Sequence, residues 1–420
     1  MTRPLSWRAR TISASPTVSL DSRTKELVAA GHDIVSFSVG EPDFPSVPAA
    51  NEAAKAAIDE GFTKYTAAAG DLRLRQAICE KLRRDQGLVY RPQDIVVSNG
   101  AKQSIFQALA AICEEGDEVI LLAPYWVSYP EQVKLVGARP VVVPTEAEDR
   151  YHPRVERVAA AVTPRTKAIV LNSPNNPSGA VYTEPELRAL MDLAKEHDLW
   201  VISDEIYERL VYDGARHVSP ATFSEDAYRR TVVVNGMSKA YAMTGWRIGY
   251  TACADAALTA AMLTIQTQLT SGASSVSQMA ALGALRGPDE PVAAMVRTFD
   301  ERRRAMCAAL NEIPGLFVPL PEGAFYVFVD VRAYLGRERA GAAATAGAEC
   351  AAAPREGGAA RRVFHTTDEL AEAILVEAGV AVVPGEGFGV PGALRLSYAT
   401  SMERIEEGMR RLKRFFAAWE

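Results

Sequence analysis

Between about residues 51 and 287 the chain alternates short runs of β-branched and other apolar residues with longer stretches that carry apolar residues at helical spacing. The apolar runs fall at 95–98, 118–122, 140–143, 168–171, 200–203, 232–234 and 248–252, and stretches such as 184–197 separate them. Strands separated by helices are joined by crossovers, which lay them parallel and cover the sheet with helices. The expectation is an α/β fold whose large domain, 46–300, is built on a mainly parallel sheet of seven strands. Residues 1–45 and 301–420 are expected to form a smaller α+β domain, with strands at 381–383 and 394–398 and helices at 368–378 and 403–419. The last of these carries Ile405, Met409, Leu412 and Phe416 on one face.

Composition narrows the classes. With 420 residues, 48% of them hydrophobic and 23% charged, the chain is long enough for two packed cores. A net charge of -6 argues against a nucleic-acid surface, and no apolar run reaches the length of about 20 residues needed to span a membrane. The first ten residues are basic but lack the apolar core of a secretion signal, so a cytoplasmic protein is expected. Five cysteines, Cys79, Cys113, Cys253, Cys307 and Cys350, show no C-x-x-C spacing and read as small buried hydrophobes. Five scattered histidines support neither a zinc site nor a histidine-based triad, so no metal is expected.

In open α/β sheets ligands sit beyond the carboxyl ends of the strands, so the residues just past each apolar run are the ones placed to meet a ligand. After 232–234 comes Asn235-Gly236-Met237-Ser238-Lys239, and eight residues later Arg247, expected to be carried back into the protein by an apolar run starting at Trp246. A lysine held at a buried strand end has a lowered pKa, and only its free amine can attack a carbonyl. After 200–203 come Asp204 and Tyr207; an acid there is suited to a protonated ring nitrogen. After 95–98 comes Ser98-Asn99-Gly100-Ala101-Lys102 at the head of a helical run at 104–113, a turn able to cradle phosphate, with Lys102 and Arg247 as cations. No Gly-x-x-x-x-Gly-Lys-Ser/Thr motif is present, which argues against a nucleotide P-loop. After 168–171 comes Asn172-Ser173-Pro174-Asn175-Asn176-Pro177-Ser178-Gly179, whose prolines restrict the backbone that aims Asn176. Each feature alone has an ordinary reading: a surface lysine, a solvated acid, a common turn. Together at strand ends they describe one site.

Ser173-Pro174-Asn175-Asn176-Pro177-Ser178-Gly179, Ser203-Asp204-Glu205-Ile206-Tyr207, Ser238-Lys239 and Gly245-Trp246-Arg247-Ile248-Gly249 together make the chain resemble the class I/II aminotransferases, pyridoxal-phosphate enzymes of fold type I. Gly40-Glu41-Pro42-Asp43-Phe44, Tyr125-Trp126-Val127-Ser128-Tyr129 and Arg395-Leu396-Ser397-Tyr398-Ala399 look like the bacterial aspartate/prephenate aminotransferase subgroup. The likeness runs from about Pro16 to Phe415. It implies that Lys239 holds pyridoxal 5'-phosphate as a Schiff base and shuttles the proton, a role both nucleophilic and acid/base. It further implies that Asp204 meets the pyridine nitrogen, that Asn176 and Tyr207 meet the ring hydroxyl oxygen, and that Trp126 stacks on the ring. The phosphate falls to Gly100, Ala101, Lys102, Arg247 and Ser238, with Tyr65 reaching across from a second subunit of a homodimer. Arg395 is implied as the partner of the substrate α-carboxylate, a task suited to a planar fork, with the backbone of Gly40, Asn176 and Trp126 beside it.

Substrate is read from Lys102. No second arginine is evident for a distal carboxylate, and Lys102 matches the subgroup's position for one, which favours aspartate or glutamate as donor and 2-oxoglutarate as acceptor. Prephenate, an aromatic or pathway-specific substrate, and a carbon–sulfur lyase reaction remain alternatives. The sequence departs from the family at 336–362, rich in Ala, Gly and Arg and about twenty residues longer than the family's connection. It is expected as a flexible surface insertion; folded over the cleft, it would change substrate choice.

Overall fold

The structure, a computed structural model, describes residues 3–339 and 362–419. Seven strands form the main sheet: β1 (Ile95–Ser98), β2 (Glu118–Ala123), β3 (Arg139–Pro144), β4 (Thr166–Asn172), β5 (Trp200–Asp204), β6 (Thr231–Gly236) and β7 (Gly249–Ala252). Their order is β1-β7-β6-β5-β4-β2-β3, and every pairing is parallel except the two made by β7. The exception has a local cause. No helix long enough for a crossover separates β6 from β7, so the chain turns through residues 237–248 and returns antiparallel. That returning turn carries Lys239.

β2 and β6 are buried at every position, as befits strands covered on both faces, whereas β3 is largely exposed and begins and ends near prolines, as an edge strand tolerates. A second, antiparallel sheet has the order β9-β10-β8, from β8 (Tyr326–Asp330), β9 (Val383–Pro384) and β10 (Ala393–Ser397).

The expected strand at 381–383 divides in two. Val380–Ala381 pairs in parallel with Val35–Ser36, while Val383–Pro384 joins β10, so one extended segment ties the N-terminal region to the small sheet. The helix expected at 368–378 is α-helical over Thr367–Ala373, widens to a π turn over Ile374–Ala378, and stops at Gly379 in the left-handed region. The C-terminal helix Met402–Phe416 buries Ile405, Met409, Leu412 and Phe416 as its spacing predicts. Cys113, Cys253 and Cys307 are buried and Cys79 partly so; Cys350 lies outside the described residues. Of the expected insertion, 340–361 lies outside the described residues; its ends meet as Glu338–Arg339 paired antiparallel with Arg362–Val363. No helix among the described residues is long and apolar enough to cross a membrane.

Candidate active site

A cavity of about 500 Å³ opens at the carboxyl ends of β4, β5 and β6, with β8 and β10 of the small sheet closing its far side. Gly40, Ala101, Lys102, Trp126, Asn176, Asp204, Tyr207, Ser238, Lys239, Arg247 and Arg395 all line it. Sequence positions more than 350 residues apart thus converge because each stands at the end of a strand or beside one.

Lys239 is partly open to the cavity, and its Nζ donates to the Gly40 carbonyl. Burial, reinforced by the positive charge of Arg395, lowers its pKa to about 8. Asp204 ends β5 and is buried; Tyr129 donates its hydroxyl hydrogen to Oδ2 at 2.6 Å, and the Ile206 N–H reaches Oδ1 at 3.2 Å. Burial raises the Asp204 pKa to about 6 against the pull of those donors. An amine near 8 and an acid near 6 are poised groups, the pattern expected where protons move.

Arg395, on β10, is 2% exposed. Its Nη2 donates to the Ser38 carbonyl at 2.8 Å and its Nη1 to Asn176 Oδ1 at 3.2 Å, while its buried Nε has no partner. A buried guanidinium donor without an acceptor is costly, and a carboxylate entering the cavity would satisfy it. Asn176 is itself steadied, its N–H donating to Asn172 Oδ1 at 2.9 Å. Tyr207 and Tyr326 bring their hydroxyls to 2.9 Å.

At the opposite end, Gly100 (φ +85°) turns the chain into the helix Ala101–Ile112, whose first N–H groups face the cavity end where Ser238 and Arg247 lie. A Cβ on Gly249 would run into the Ala101 backbone, so close approach requires that glycine, while at Gly100 the positive φ favours one. Arg247 is not carried into the interior as its apolar neighbours suggested. It takes a left-handed conformation (φ 55°) and lies exposed on the cavity rim, donating to the carbonyls of Thr244 at 3.0 Å and Asn99 at 3.4 Å. Lys102 Nζ stands 4.9 Å from the Trp126 ring centroid, and burial together with Arg247 lowers its pKa; no carboxylate pairs with it among the described residues.

Two expected contacts do not line the cavity in this chain: Gly100, next to the lining residue Ala101, and Tyr65, which is 95% exposed. Sequence reasoning missed Tyr129, Tyr326 and Asn172. Tyr129 had a signal, three residues after Trp126 at the start of the helix Ser128–Leu135 and therefore on the same side. The histidines, scattered in sequence, are not all isolated in space: buried His217 pairs with Glu205 at 3.1 Å beside Glu208.

The family model for aminotransferase class I and II matches residues 32–412. The chain is 43% identical to an aspartate aminotransferase of Bacillus subtilis, covering 98% of each chain, and 44% identical to an aspartate/prephenate aminotransferase of Cereibacter sphaeroides, covering 97% of each. Among solved structures it is similar to the aspartate aminotransferase from Thermus thermophilus with maleate, with a TM-score of 0.87 and 41% identity over 98% of this chain and 100% of that one.

Proposed function

Because the chain belongs to the class I and II aminotransferases, we propose that it uses pyridoxal 5'-phosphate to move the amino group of an L-amino acid, most favourably aspartate, to a 2-oxo acid such as 2-oxoglutarate. The reading rests above all on one juxtaposition, the low-pKa amine of Lys239 and the buried acid of Asp204 on the floor of a single cavity.

The residues fit the cofactor. The turn at Gly100 and Ala101, with Lys102, Ser238 and Arg247, offers N–H groups and cations to a phosphate, while buried Asp204 offers an anion to a protonated ring nitrogen. Asn176 Oδ1 accepts from Arg395, which leaves its amide hydrogens free for the ring oxygen, beside Tyr207; Trp126 would provide the stacking face. When bound, pyridoxal 5'-phosphate supplies an aldehyde for an amine and a ring that accepts the electrons of a broken Cα–H bond.

The chain's own residues do the rest. Lys239 Nζ, with a pKa near 8, is in part unprotonated at neutral pH, so it could hold the aldehyde and, once displaced by a substrate amine, would move the proton from the substrate Cα to the former aldehyde carbon. Asp204 would keep a bound ring nitrogen charged, and Tyr129 holds that carboxylate in place. Arg395 orients the α-carboxylate through its unpartnered Nε and its planar fork, against the backbone of Gly40. Lys102, a cation without an acidic partner among the described residues, would meet a distal carboxylate; the Thermus relative solved with maleate, a dicarboxylate, supports this. Relatives named for prephenate keep that substrate as the second reading, since prephenate also carries more than one carboxylate. Tyr65, exposed on one chain, would reach the phosphate of a partner in a homodimer. A cytoplasmic setting agrees with buried, unpaired thiols.

The test is the visible spectrum of the purified protein with pyridoxal 5'-phosphate, before and after L-aspartate, then after 2-oxoglutarate, with prephenate as an alternative acceptor. A new band that aspartate bleaches and 2-oxoglutarate restores is expected. A band bleached only by other amines would remove the aspartate assignment, and no band at all would overturn the cofactor.

A further inference from the structure

Tyr326, on β8, has no exposed surface. The antiparallel register sets Ser397 opposite Tyr326 and Arg395 opposite Phe328, which makes Arg395 and Tyr326 diagonal neighbours on one face. The Arg395 guanidinium accordingly lies 4.5 Å from the Tyr326 ring centroid. On its other flank the Tyr326 hydroxyl packs close to Gly40, where an added Cβ would stand 3.1 Å from it. Its hydrogen-bond partner is the Tyr207 hydroxyl, at 2.9 Å.

Each phenol has one hydrogen to give, so only one of the two donates across this contact. Were Tyr207 the donor, its hydrogen would be spent on Tyr326 and leave only lone pairs for a ring oxygen. Were Tyr326 the donor, the Tyr207 hydrogen would be free to point inward. The geometry favours the second arrangement: Arg395 lies against the face of the Tyr326 ring and makes its hydroxyl the better donor. Burial pushes both phenols up, so both keep their protons.

We propose that Tyr326 is a positioning residue: its hydroxyl donates to the Tyr207 oxygen and thereby directs the Tyr207 hydrogen into the cavity, at the ring oxygen of the bound cofactor. This rests on the proposed role of Tyr207 at that ring oxygen. The consequence is a relay from the carboxylate site to the cofactor site, with Arg395 polarising Tyr326 and Tyr326 orienting Tyr207.

The experiment compares full-length holoenzyme with Tyr326→Phe, Tyr207→Phe and the double variant, reading the pH midpoint of the bound cofactor's visible absorption, thermal melting, and KM against kcat for L-aspartate. A donor to the ring oxygen favours its deprotonated form, so losing the donor raises the midpoint. Tyr207→Phe is expected to raise it most, Tyr326→Phe by about half a pH unit, as for one neutral hydrogen bond, and the double variant no further than Tyr207→Phe. Phe keeps the ring under Arg395, so KM should stay near the original value while kcat falls a few-fold. An unmoved midpoint in Tyr326→Phe alongside a moved one in Tyr207→Phe overturns the proposal, as does a Tyr326→Phe shift that persists undiminished in the double variant. A change confined to melting temperature would reduce Tyr326 to packing. An unmoved midpoint in Tyr207→Phe would overturn the role of Tyr207 and this inference with it.

Discussion

Asp204 and Glu205 are consecutive residues at the end of β5, and they face opposite worlds. Asp204 looks into the cavity, where Lys239, Lys102 and Arg395 lie without carboxylate partners close enough to pair with them among the described residues. Glu205 takes hydrogen bonds from Ser203 at 2.9 Å, Ser219 at 2.6 Å and Gln86 at 3.0 Å, and pairs with His217. Glu208 beside it binds Lys81, which also reaches Asp85 at 3.3 Å. The pKa shifts run in opposite directions. Burial lowers Lys239 and raises Asp204, whereas on the other side burial is outweighed: Glu208 raises Lys81, and His217 with the neighbouring donors lowers Glu205. Charges that are fully partnered are fixed and serve the fold; charges left short of partners are held for a ligand. Although Glu205, Glu208 and His217 could in principle hold a cation, Lys81 already supplies one.

Substitutions on the two sides should therefore fail in different ways. Lys239→Ala has the largest expected effect, a loss of about 10⁴-fold or more in the aspartate half-reaction, with melting little changed; stopped-flow spectra give the rate, and a rate near that of the original enzyme would remove Lys239 from the chemistry. Lys81→Met should do the converse. It strands Glu208 in the interior and should cost about 3–5 kcal/mol of stability in a denaturant titration, while any protein that remains folded transaminates normally. If Lys81→Met were as stable as the original, the buried pair would not be structural. Asp204→Asn removes the anion but not the shape, and about 10²–10³-fold in kcat should go with it. Should Glu205→Gln cost as much turnover as Asp204→Asn, the division between the two faces would be wrong.

Much of this was legible in the sequence because the sheet is. Strand ends are marked by a change from β-branched residues to polar turns, so Lys239, Asp204, Asn176 and Gly100 announce themselves where ligands bind. Arg395 was legible only through family likeness, since an arginine on a short strand carries no local mark of burial. The Glu205 network escaped because its members come from the helix Leu72–Gln86, the turn after β5 and the loop holding His217, and nothing in local spacing joins them. Tyr326 escaped for a similar reason: its role depends on a register between β8 and β10, nearly seventy residues apart. Arg247 was misjudged because neighbouring apolar residues predict burial of the segment, not of each side chain, and the left-handed backbone turns this one outward.

Arg395→Lys tests how far geometry, rather than charge alone, matters on the cavity side. The cation is kept but the fork is lost, so kcat/KM for aspartate should fall about 10–100-fold with little change in melting. Unaltered kinetics would make Arg395 one more structural cation, like Lys81.

The smallest effect is a matter of pH. Only the unprotonated amine of Lys239 can take up an aldehyde, and its pKa near 8 puts the change within reach of neutral solution. Below that pKa the reactive fraction grows about tenfold per pH unit, so cofactor uptake by the apoprotein should climb between pH 6 and 7 and flatten above about 8. Were Lys239 partnered as Lys81 is, its amine would stay protonated and uptake would keep climbing through pH 10. Arg395 contributes to lowering that pKa, so Arg395→Met should move the break upward; Asp204 acts in the opposite sense, so Asp204→Asn should move it downward. Opposite movements of one break point would show that the cavity's charges act on each other because no fixed partners hold them, whereas Lys81→Met, acting from across the strand, should leave the break where it is.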